Sequence, residues 1–450
     1  MKDFLFDMQV LEATKTNSSE DLPIIGRKSL RSPERNQVEF SVACIDELLP
    51  AEHRARDIWE YVSSLDLSAF QTDIKIQEGN AGPRTADPRL YLALWLYGML
   101  EGIASARHIA RLCTMHHAYI WICGGVTVNY HSLSDFRTNH SDKFRLLLQE
   151  SIALMWNAGL FKPEIVAQDG TRVKANAGGN SLRRESRLNQ FLKEAEKYLD
   201  QLDKELAANP AAATLREKSA QLRAARERKE RLEQAQSEMK KYKEERIRLS
   251  KKNHNTLSQK DLGDMRTSKT DPECRKMKMG DGGYRPAYNV QFATSADKKV
   301  ILGVDVVNTL DPGTLVPMMQ MVKENLEKIG CPMPSKWLAD SAYANKTDTE
   351  GAETAFIDTT LLSQPTGNGK VDATTPRKTD NHAMANLRAR MNTKEAQKDY
   401  KKRASTAEFV NATSKNKGMR EFLVRGLNKV TSMALMYAIA HNMVVYLGNC

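Results

Sequence analysis

Two aspartates occupy matching positions in this sequence. Asp169 and Asp340 each follow a short apolar run, IVAQ before the first and KWLA before the second, and small or polar residues come after each. A buried carboxylate is costly unless it is paired, hydrogen-bonded or bound to a metal. Two carboxylates at the ends of neighbouring strands could hold a divalent cation such as Mg²⁺, which prefers oxygen ligands. The alternative for the first aspartate is a tight turn that it forms with Gly170 between two strands.

A third carboxylate would complete a two-metal site, which can activate a water and stabilise the leaving oxygen of a phosphodiester. The best candidate is Glu408, in the segment DYKKRASTAEFVNATSK, for which the pattern predicts a single helix. Tyr400 and Arg403 precede it, and Lys415 follows two helical turns later on the same side. In a lysine-rich helix such a glutamate is more commonly a salt-bridge partner. The pattern alone leaves both interpretations open.

The composition fits a globular chain of two or three domains with a polyanionic partner. The 450 residues include 67 Lys and Arg against 56 Asp and Glu, so the net charge is +11. This balance favours nucleic acid, although many ordinary enzymes are also basic. The six scattered cysteines form no CxxC pair. That pattern indicates reduced intracellular cysteines and argues against a zinc site or a disulfide framework.

Two apolar runs, residues 90–100 and 433–448, are long enough to raise the question of a membrane. Both are short for a bilayer span, so we interpret them as core helices. The N-terminus lacks the layout of a signal peptide. We therefore expect a cytoplasmic protein with no membrane partner.

The first part of the chain is predicted to be helical. Residues 1–40 are polar and irregular, which predicts a flexible lead, and residues 41–157 carry apolar residues at spacings of three and four. We expect Asp87 to cap one helix and Ser134 another. This all-α domain could bind DNA through a unit like a helix-turn-helix, or it could be a plain packing domain.

The chain after residue 157 is predicted to combine strands and helices. Residues 181–252 first carry leucines in a heptad pattern, broken once, which predicts an antiparallel helical hairpin. The charge of this hairpin is typical of a solvated face, with a DNA or subunit contact as the alternative. Strand-like runs and helices then alternate, with Asp311 expected as a helix N-cap, and this order predicts an α/β fold with a mixed sheet.

The segments around these residues resemble bacterial insertion-sequence transposases of the DDE class. The likeness covers residues 45–448, and its motifs are specific in their combination and order. These motifs are LPAEHRARDIWEYVSSLDLS, HSLSDFR, VAQDGTRVKANA, TDPECRKMKMGDGGYRPAYNVQFA, WLADSAYAN, YKKRASTAE and FLVRGLNKV. The resemblance implies a ribonuclease-H-like catalytic domain at 158–448, with flanking helices, preceded by an InsH-type all-α domain and interrupted by the hairpin.

The resemblance also implies the site residues and the cofactor. The residues that would be catalytic and would hold two Mg²⁺ or Mn²⁺ ions are Asp169, Asp340 and Glu408. The residues that would bind DNA are Tyr400, Arg403, Lys415, Lys401 and Lys402. In the family pattern the arginine and the glutamate are usually one residue closer together than here. Glu395 and Glu421 therefore stay as alternatives for the third carboxylate.

These features together predict a transposase that cuts and rejoins DNA at the terminal inverted repeats of an insertion sequence. We expect double-stranded DNA as its partner, both the repeats and the target, and a homodimer on that DNA in the cytoplasm, at the nucleoid. One alternative is a degenerate or domesticated relative that binds DNA without chemistry. Another is a coiled-coil adaptor built on residues 181–252, which would leave the two strand-borne aspartates unexplained.

Overall fold

The computed structural model describes residues 44–72, 86–208, 212–252, 257–365 and 372–448. The chain divides into two compact units, Met1–Cys44 and Ile45–Cys450, and of the first only Cys44 is described. The flexible lead expected at 1–40 lies outside the described residues. In the second unit, helices and a mixed β-sheet share one hydrophobic core, so the protein has an α/β fold.

Short helices form the first part of this unit. After a 3₁₀ turn at Ile45–Leu48 they are α1 (Arg54–Ser64), α2 (Ser68–Gln71), α3 (Pro88–Leu100), α4 (Ala106–Leu112), α5 (His117–Cys123), α6 (Tyr130–Thr138) and α7 (Ser141–Asn157). As predicted, the Asp87 carboxylate caps α3 and accepts the N–H of Arg89 at 2.8 Å. The prediction for Ser134 is wrong. This serine lies inside α6, which Asn129 caps. The helix ends after Thr138, so the break between two helices falls after Ser134 rather than before it.

A mixed sheet lies at the centre of the fold. In chain order the strands are β1 (Ile165–Lys174), β2 (Leu182–Arg183), β3 (Thr267–Ser268), β4 (Arg275–Lys278), β5 (Tyr284–Ser295), β6 (Ile301–Val307), β7 (Lys336–Ala339) and β8 (Thr360–Ser363). Within the described residues the main sheet has the order β4-β5-β1-β7-β8, and β6 also pairs with β5. The β1–β5 and β5–β6 pairs are antiparallel, whereas β1–β7 and β7–β8 are parallel.

A long helical arm is inserted between β1 and β5. Its helices are α8 (Glu185–Ala208) and α9 (Ala212–Lys252), and the short α10 (Gln259–Gly263) follows. Ion pairs of 2.6 Å from Lys243 to Glu185 and 3.9 Å from Lys229 to Glu196 show that α8 and α9 run antiparallel, as predicted. At the base of the arm β2 and β3 pair with each other and close it.

Helices cover the sheet in the remainder of the chain. They are α11 (Leu315–Lys328), α12 (Lys346–Ala355), α13 (His382–Met391), α14 (Lys394–Tyr400), α15 (Phe409–Asn416) and α16 (Leu427–Leu447). Helix α11 packs closely on β6, where Gly303 leaves room for Met318 and Val322. Among the described helices only α16 is long and apolar enough to cross a membrane, but 78% of its most apolar stretch is buried in the protein. It is thus a core helix, as its sequence predicted.

Candidate active site

The two strand-borne aspartates lie side by side on one face of the sheet. The parallel pairing of β1 and β7 puts Ala167 opposite Leu338. Side chains alternate along a strand, and Asp340 keeps an extended backbone, so Asp169 and Asp340, each two residues further on, point to the same face. The Asp340 carboxylate also accepts the N–H of Ala342 and so caps the 3₁₀ turn that follows β7.

Burial makes the Asp169 carboxylate unusually hard to ionise. Its Oδ1 accepts the N–H of Gly170 at 2.9 Å, and its Oδ2 accepts the side-chain amide of Asn411 at 3.0 Å. Desolvation raises the pKa of Asp169 to about 6; the Arg403 guanidinium opposes this shift, and the charge of Asp340 adds to it. A cation bound at this position would stabilise the ionised form of Asp169 and so offset the effect of burial on its pKa.

Glu408 reaches this pair through Arg403. One guanidinium nitrogen of Arg403 lies 3.8 Å from Asp169 Oδ2, and the other lies 3.7 Å from Glu408 Oε1. The Glu408 side chain is 66% exposed, whereas that of Arg403 is 18% exposed. Arg403 therefore lies between two of the three carboxylates that the sequence singled out.

A single π-helical turn explains how Arg403 and Glu408 meet. The predicted single helix is interrupted at Lys401, after α14, and residues Ala404–Glu408 form a π-helix before α15 begins. In a π-helix the hydrogen bonds run from residue i to i+5, so residues five apart lie on the same side. The spacing between Arg403 and Glu408 is one residue longer than in the family pattern, and the π-helical turn accommodates this additional residue. Lys415 keeps its place two turns after Glu408, within α15.

Three of the predicted DNA-binding residues, Tyr400, Arg403 and Lys415, interact with the same carboxylates, whereas Lys401 and Lys402 do not. Burial raises the pKa of Tyr400, whose ring lies 5.9 Å from the Arg403 guanidinium, and the charge of Asp340 also raises this pKa. Burial lowers the pKa of Lys415, and Asp169 opposes that shift, so this lysine is close enough to feel the aspartate. Lys401 is exposed. Lys402 differs, because it forms a 2.9 Å ion pair with Asp399.

A polar network supports the strands from the opposite face of the sheet. The Asp311 carboxylate accepts the amides of Asn289 at 2.9 Å and Gln291 at 2.8 Å, directly over Gly170. The prediction that Asp311 is an N-cap is therefore wrong, since α11 begins only at Leu315. Only a glycine at position 170 leaves space for this network.

The same network joins β1 to the turn that carries Asp340. Tyr343 in that turn donates its hydroxyl to Gln291 Oε1, and Gln168 on β1 donates its amide to the same oxygen at 3.1 Å. The indole of Trp337 on β7 donates to Gln168 Oε1 at 3.2 Å. These buried bonds fix the strands that position the two aspartates.

The two alternative glutamates lie further away along the strands. Glu395 pairs with Lys336 at 3.1 Å, at the start of β7, whereas Asp340 follows the end of that strand. Glu421 bridges to Lys174 at the far end of β1. Sequence reasoning missed Asn411, although its spacing was an available signal. It lies three residues after Glu408 and four before Lys415, on the same helical face.

Asp169 and Asp340 fit a hard divalent cation by their chemistry and placement. Both offer carboxylate oxygens, one from β1 and one from the end of the adjacent β7, and desolvation of Asp169 outweighs the compensating charge of Arg403. Within the described ranges, no three His, Cys, Asp or Glu side chains are grouped closely enough to hold a metal ion. Glu408 is joined to the pair through Arg403 instead.

Two family models match this chain. One, described as a transposase DDE domain, matches residues 363–447, which include Tyr400, Arg403, Glu408 and Lys415. The other, described as a transposase domain (DUF772), matches residues 43–139 in the helical first part. No curated protein and no solved structure matches the chain. Both matched regions are transposase domains, so by class they indicate a transposase. Together the two matches indicate the insertion-sequence DDE transposase family.

Proposed function

We propose that this transposase cuts and joins DNA strands at the terminal inverted repeats of its insertion sequence. The observation that carries the proposal is the placement of Asp169 on β1 and of Asp340 just after the adjacent parallel strand β7, both directed to one face, with Arg403 3.8 Å from Asp169. The sheet supports it too, because three antiparallel strands followed by two parallel ones, in the order β6-β5-β1-β7-β8, are the arrangement we assign to a ribonuclease-H-like fold.

In this proposal Asp169, Asp340 and Glu408 hold Mg²⁺ or Mn²⁺, as two ions. When bound, the ions supply an activated water and stabilise the charge that develops on the leaving oxygen. The protein's part is to fix the oxygen donors. Asp169 is held by its hydrogen bonds to Gly170 and Asn411, and Asp340 by its cap on the turn. Glu408 brings a carboxylate whose present partner is a guanidinium 3.7 Å away.

The cations around the site orient the DNA backbone. Arg403 and Lys415 lie close enough to Asp169 to affect its charge or be affected by it, so a phosphate held near that aspartate is within their reach. Lys401 extends this basic surface into solvent, next to Lys402. Tyr400, over which Arg403 lies, positions that guanidinium. Because these contacts are ionic, DNA binding should weaken steeply as the salt concentration rises.

We also propose roles for the other parts of the chain. The helices between residues 41 and 157, which include the match to a transposase domain at 43–139, bind the terminal repeat. Two copies act together on double-stranded DNA, one at each end of the element, in the cytoplasm at the nucleoid. Target DNA enters the same site after cleavage, since strand transfer uses the freed 3′-hydroxyl as the nucleophile.

Strand cleavage tests the proposal directly. A duplex made from the DNA that flanks the gene is incubated with Mg²⁺ and wild-type protein, Asp169→Asn, Asp340→Asn or Asp358→Asn. The last is the matched control, an exposed aspartate at the opposite end of the parallel strands. We expect the first two substitutions to cost about 4 kcal/mol of transition-state stabilisation, about a thousandfold in rate. The control should cut like the wild type. DNA binding without cleavage by any variant would indicate the degenerate relative instead.

A further inference from the structure

The side-chain amide of Asn411 lies beside Asp169 with only one of its two polar atoms bonded to a described residue. Its amide nitrogen donates to Asp169 Oδ2 at 3.0 Å, across 242 residues of sequence. Its Oδ1 is buried, and no donor among the described residues reaches it. The side chain comes from α15, three residues after Glu408. Half of this amide is thus committed to the aspartate, and the other half has no partner within the described fold.

An asparagine in this state does not help the fold. A buried acceptor without a donor is destabilising, and an apolar side chain of similar shape would avoid that cost. A residue that breaks a local rule of stability without a structural gain is expected at a functional site. Among the described residues, the bond to Asp169 is the only hydrogen bond that this side-chain amide makes.

Asn411 and Arg403 approach the same oxygen of Asp169. The guanidinium of Arg403 approaches the same Oδ2 but stays at 3.8 Å, beyond the range of a normal hydrogen bond. The Asn411 amide, at 3.0 Å, is the closer of these two donors to that oxygen. Without it, the aspartate would be free to turn towards Arg403 and close a bidentate pair, which is the strongest arrangement open to it.

We propose that Asn411 is a positioning residue that keeps the Asp169 carboxylate away from Arg403 and available to a divalent cation. The proposal rests on the proposed function, because it assumes that Asp169 is a metal ligand. It assigns Asn411 no contact with the reacting atoms. Groups that orient a ligand in this way commonly change metal affinity by about 10- to 100-fold.

The test compares Asn411→Leu with the wild type by thermal unfolding and by Mn²⁺ titration in the absence of DNA. Leucine removes the donor and also the unsatisfied oxygen. We therefore expect an unchanged or higher melting temperature together with an Mn²⁺ affinity about tenfold lower. Asn411→Gln, which keeps the amide, should recover part of that affinity. Asn416→Leu is the matched control, the same substitution at an exposed position of the same helix, and should bind Mn²⁺ like the wild type.

Asp169→Asn separates the two proposals. If Asp169→Asn and Asn411→Leu both weaken Mn²⁺ binding while Asn416→Leu does not, both proposals are supported. If Asp169→Asn weakens binding and Asn411→Leu keeps wild-type affinity, the positioning role is overturned and the metal site stands. A lower melting temperature for Asn411→Leu with unchanged affinity would make Asn411 a structural residue. If even Asp169→Asn binds Mn²⁺ normally, the metal site itself fails.

Discussion

Replacing Gly170 by alanine would test how tightly the polar network is built beneath the aspartates. A Cβ at this position would lie 2.2 Å from Asp311 Oδ1 and 2.3 Å from Gln291 Nε2. Ordinary van der Waals contact needs more than about 3.5 Å, so the network has to move by about 1 Å. That movement breaks the hydrogen bonds that Asn289 and Gln291 donate to Asp311 at 2.9 and 2.8 Å.

The size of the effect follows from these two bonds. A hydrogen bond to a charged group contributes about 1.5–3 kcal/mol, and Asp311 is half-buried, so the lower end applies. We expect the free energy of unfolding to fall by about 3 kcal/mol in Gly170→Ala. The opposing effect is smaller, since alanine restricts the unfolded chain and stabilises by about 0.4–1 kcal/mol.

Urea unfolding followed by tryptophan fluorescence would measure this loss. Gly178→Ala is the matched control, because no atom lies within 4 Å of a Cβ there and its backbone is extended. Its stability should stay within about 0.5 kcal/mol of the wild type. Equal unfolding midpoints for Gly170→Ala and Gly178→Ala would refute the argument that the network depends on the missing side chain.

Two further predictions concern titration. Burial lowers the pKa of His441 from 6.5 to about 4, and its neutral ring donates Nε2–H to the Lys299 carbonyl at 2.8 Å. In the unfolded chain the His441 imidazole is protonated more readily than in the folded protein. The free energy of unfolding should therefore fall by about 3 kcal/mol as the pH drops from 6.5 to 4. In His441→Gln this component of the pH dependence of the urea midpoint should be lost. Because Arg403 lowers the pKa of Asp169, Arg403→Gln should raise it above about 6 in the metal-free protein. The pH dependence of the Asp169 carboxyl ¹³C shift would measure this pKa. An unchanged or lower pKa in Arg403→Gln would count against an interaction between Arg403 and Asp169.

The aspartate pair could be predicted because its signals are local. Each aspartate ends an apolar run of strand length, and parallel strands bring such ends to the same edge of a sheet. The sequence therefore pointed to Asp169 and Asp340 before any pairing was known. The register of β1 and β7 supplies only the final step, that both point to one face.

The role of Asp311 could not be predicted, because its partners are distant in sequence. Asp-Pro-Gly before an amphipathic run is typical of a helix start, and this favours an N-cap. The carboxylate instead accepts amides from Asn289 and Gln291, about 20 residues earlier. Such a choice depends on the open space above Gly170, which appears only when the strands are packed.

The relation between Arg403 and Glu408 was only partly visible. Residues five apart on an α-helix are separated by about 140° around the axis, which predicts poor neighbours. Comparison with the family pattern indicated one additional residue between Arg403 and Glu408, but the sequence ASTAE does not predict a π-helical turn. The spacing of Asn411 put it on the same helical face as Glu408 and Lys415, but an asparagine in a polar helix carries no sign that its amide is buried, and so it was missed.

The structure at the base of the helical arm makes the fold tolerant of changes in the length of the arm. β2 and β3 pair over only two residues each, and the hydroxyls of Ser181 and Ser268 lie 2.8 Å apart beside them. The segments that enter and leave the helical arm are therefore held next to each other by the β2–β3 pair, whatever the length of the arm between them. Because the entropy of loop closure depends only weakly on length, arms of very different size impose similar costs on β1 and β5. Such a junction allows the arm to be lengthened, shortened or replaced while β1 and β5 keep their register.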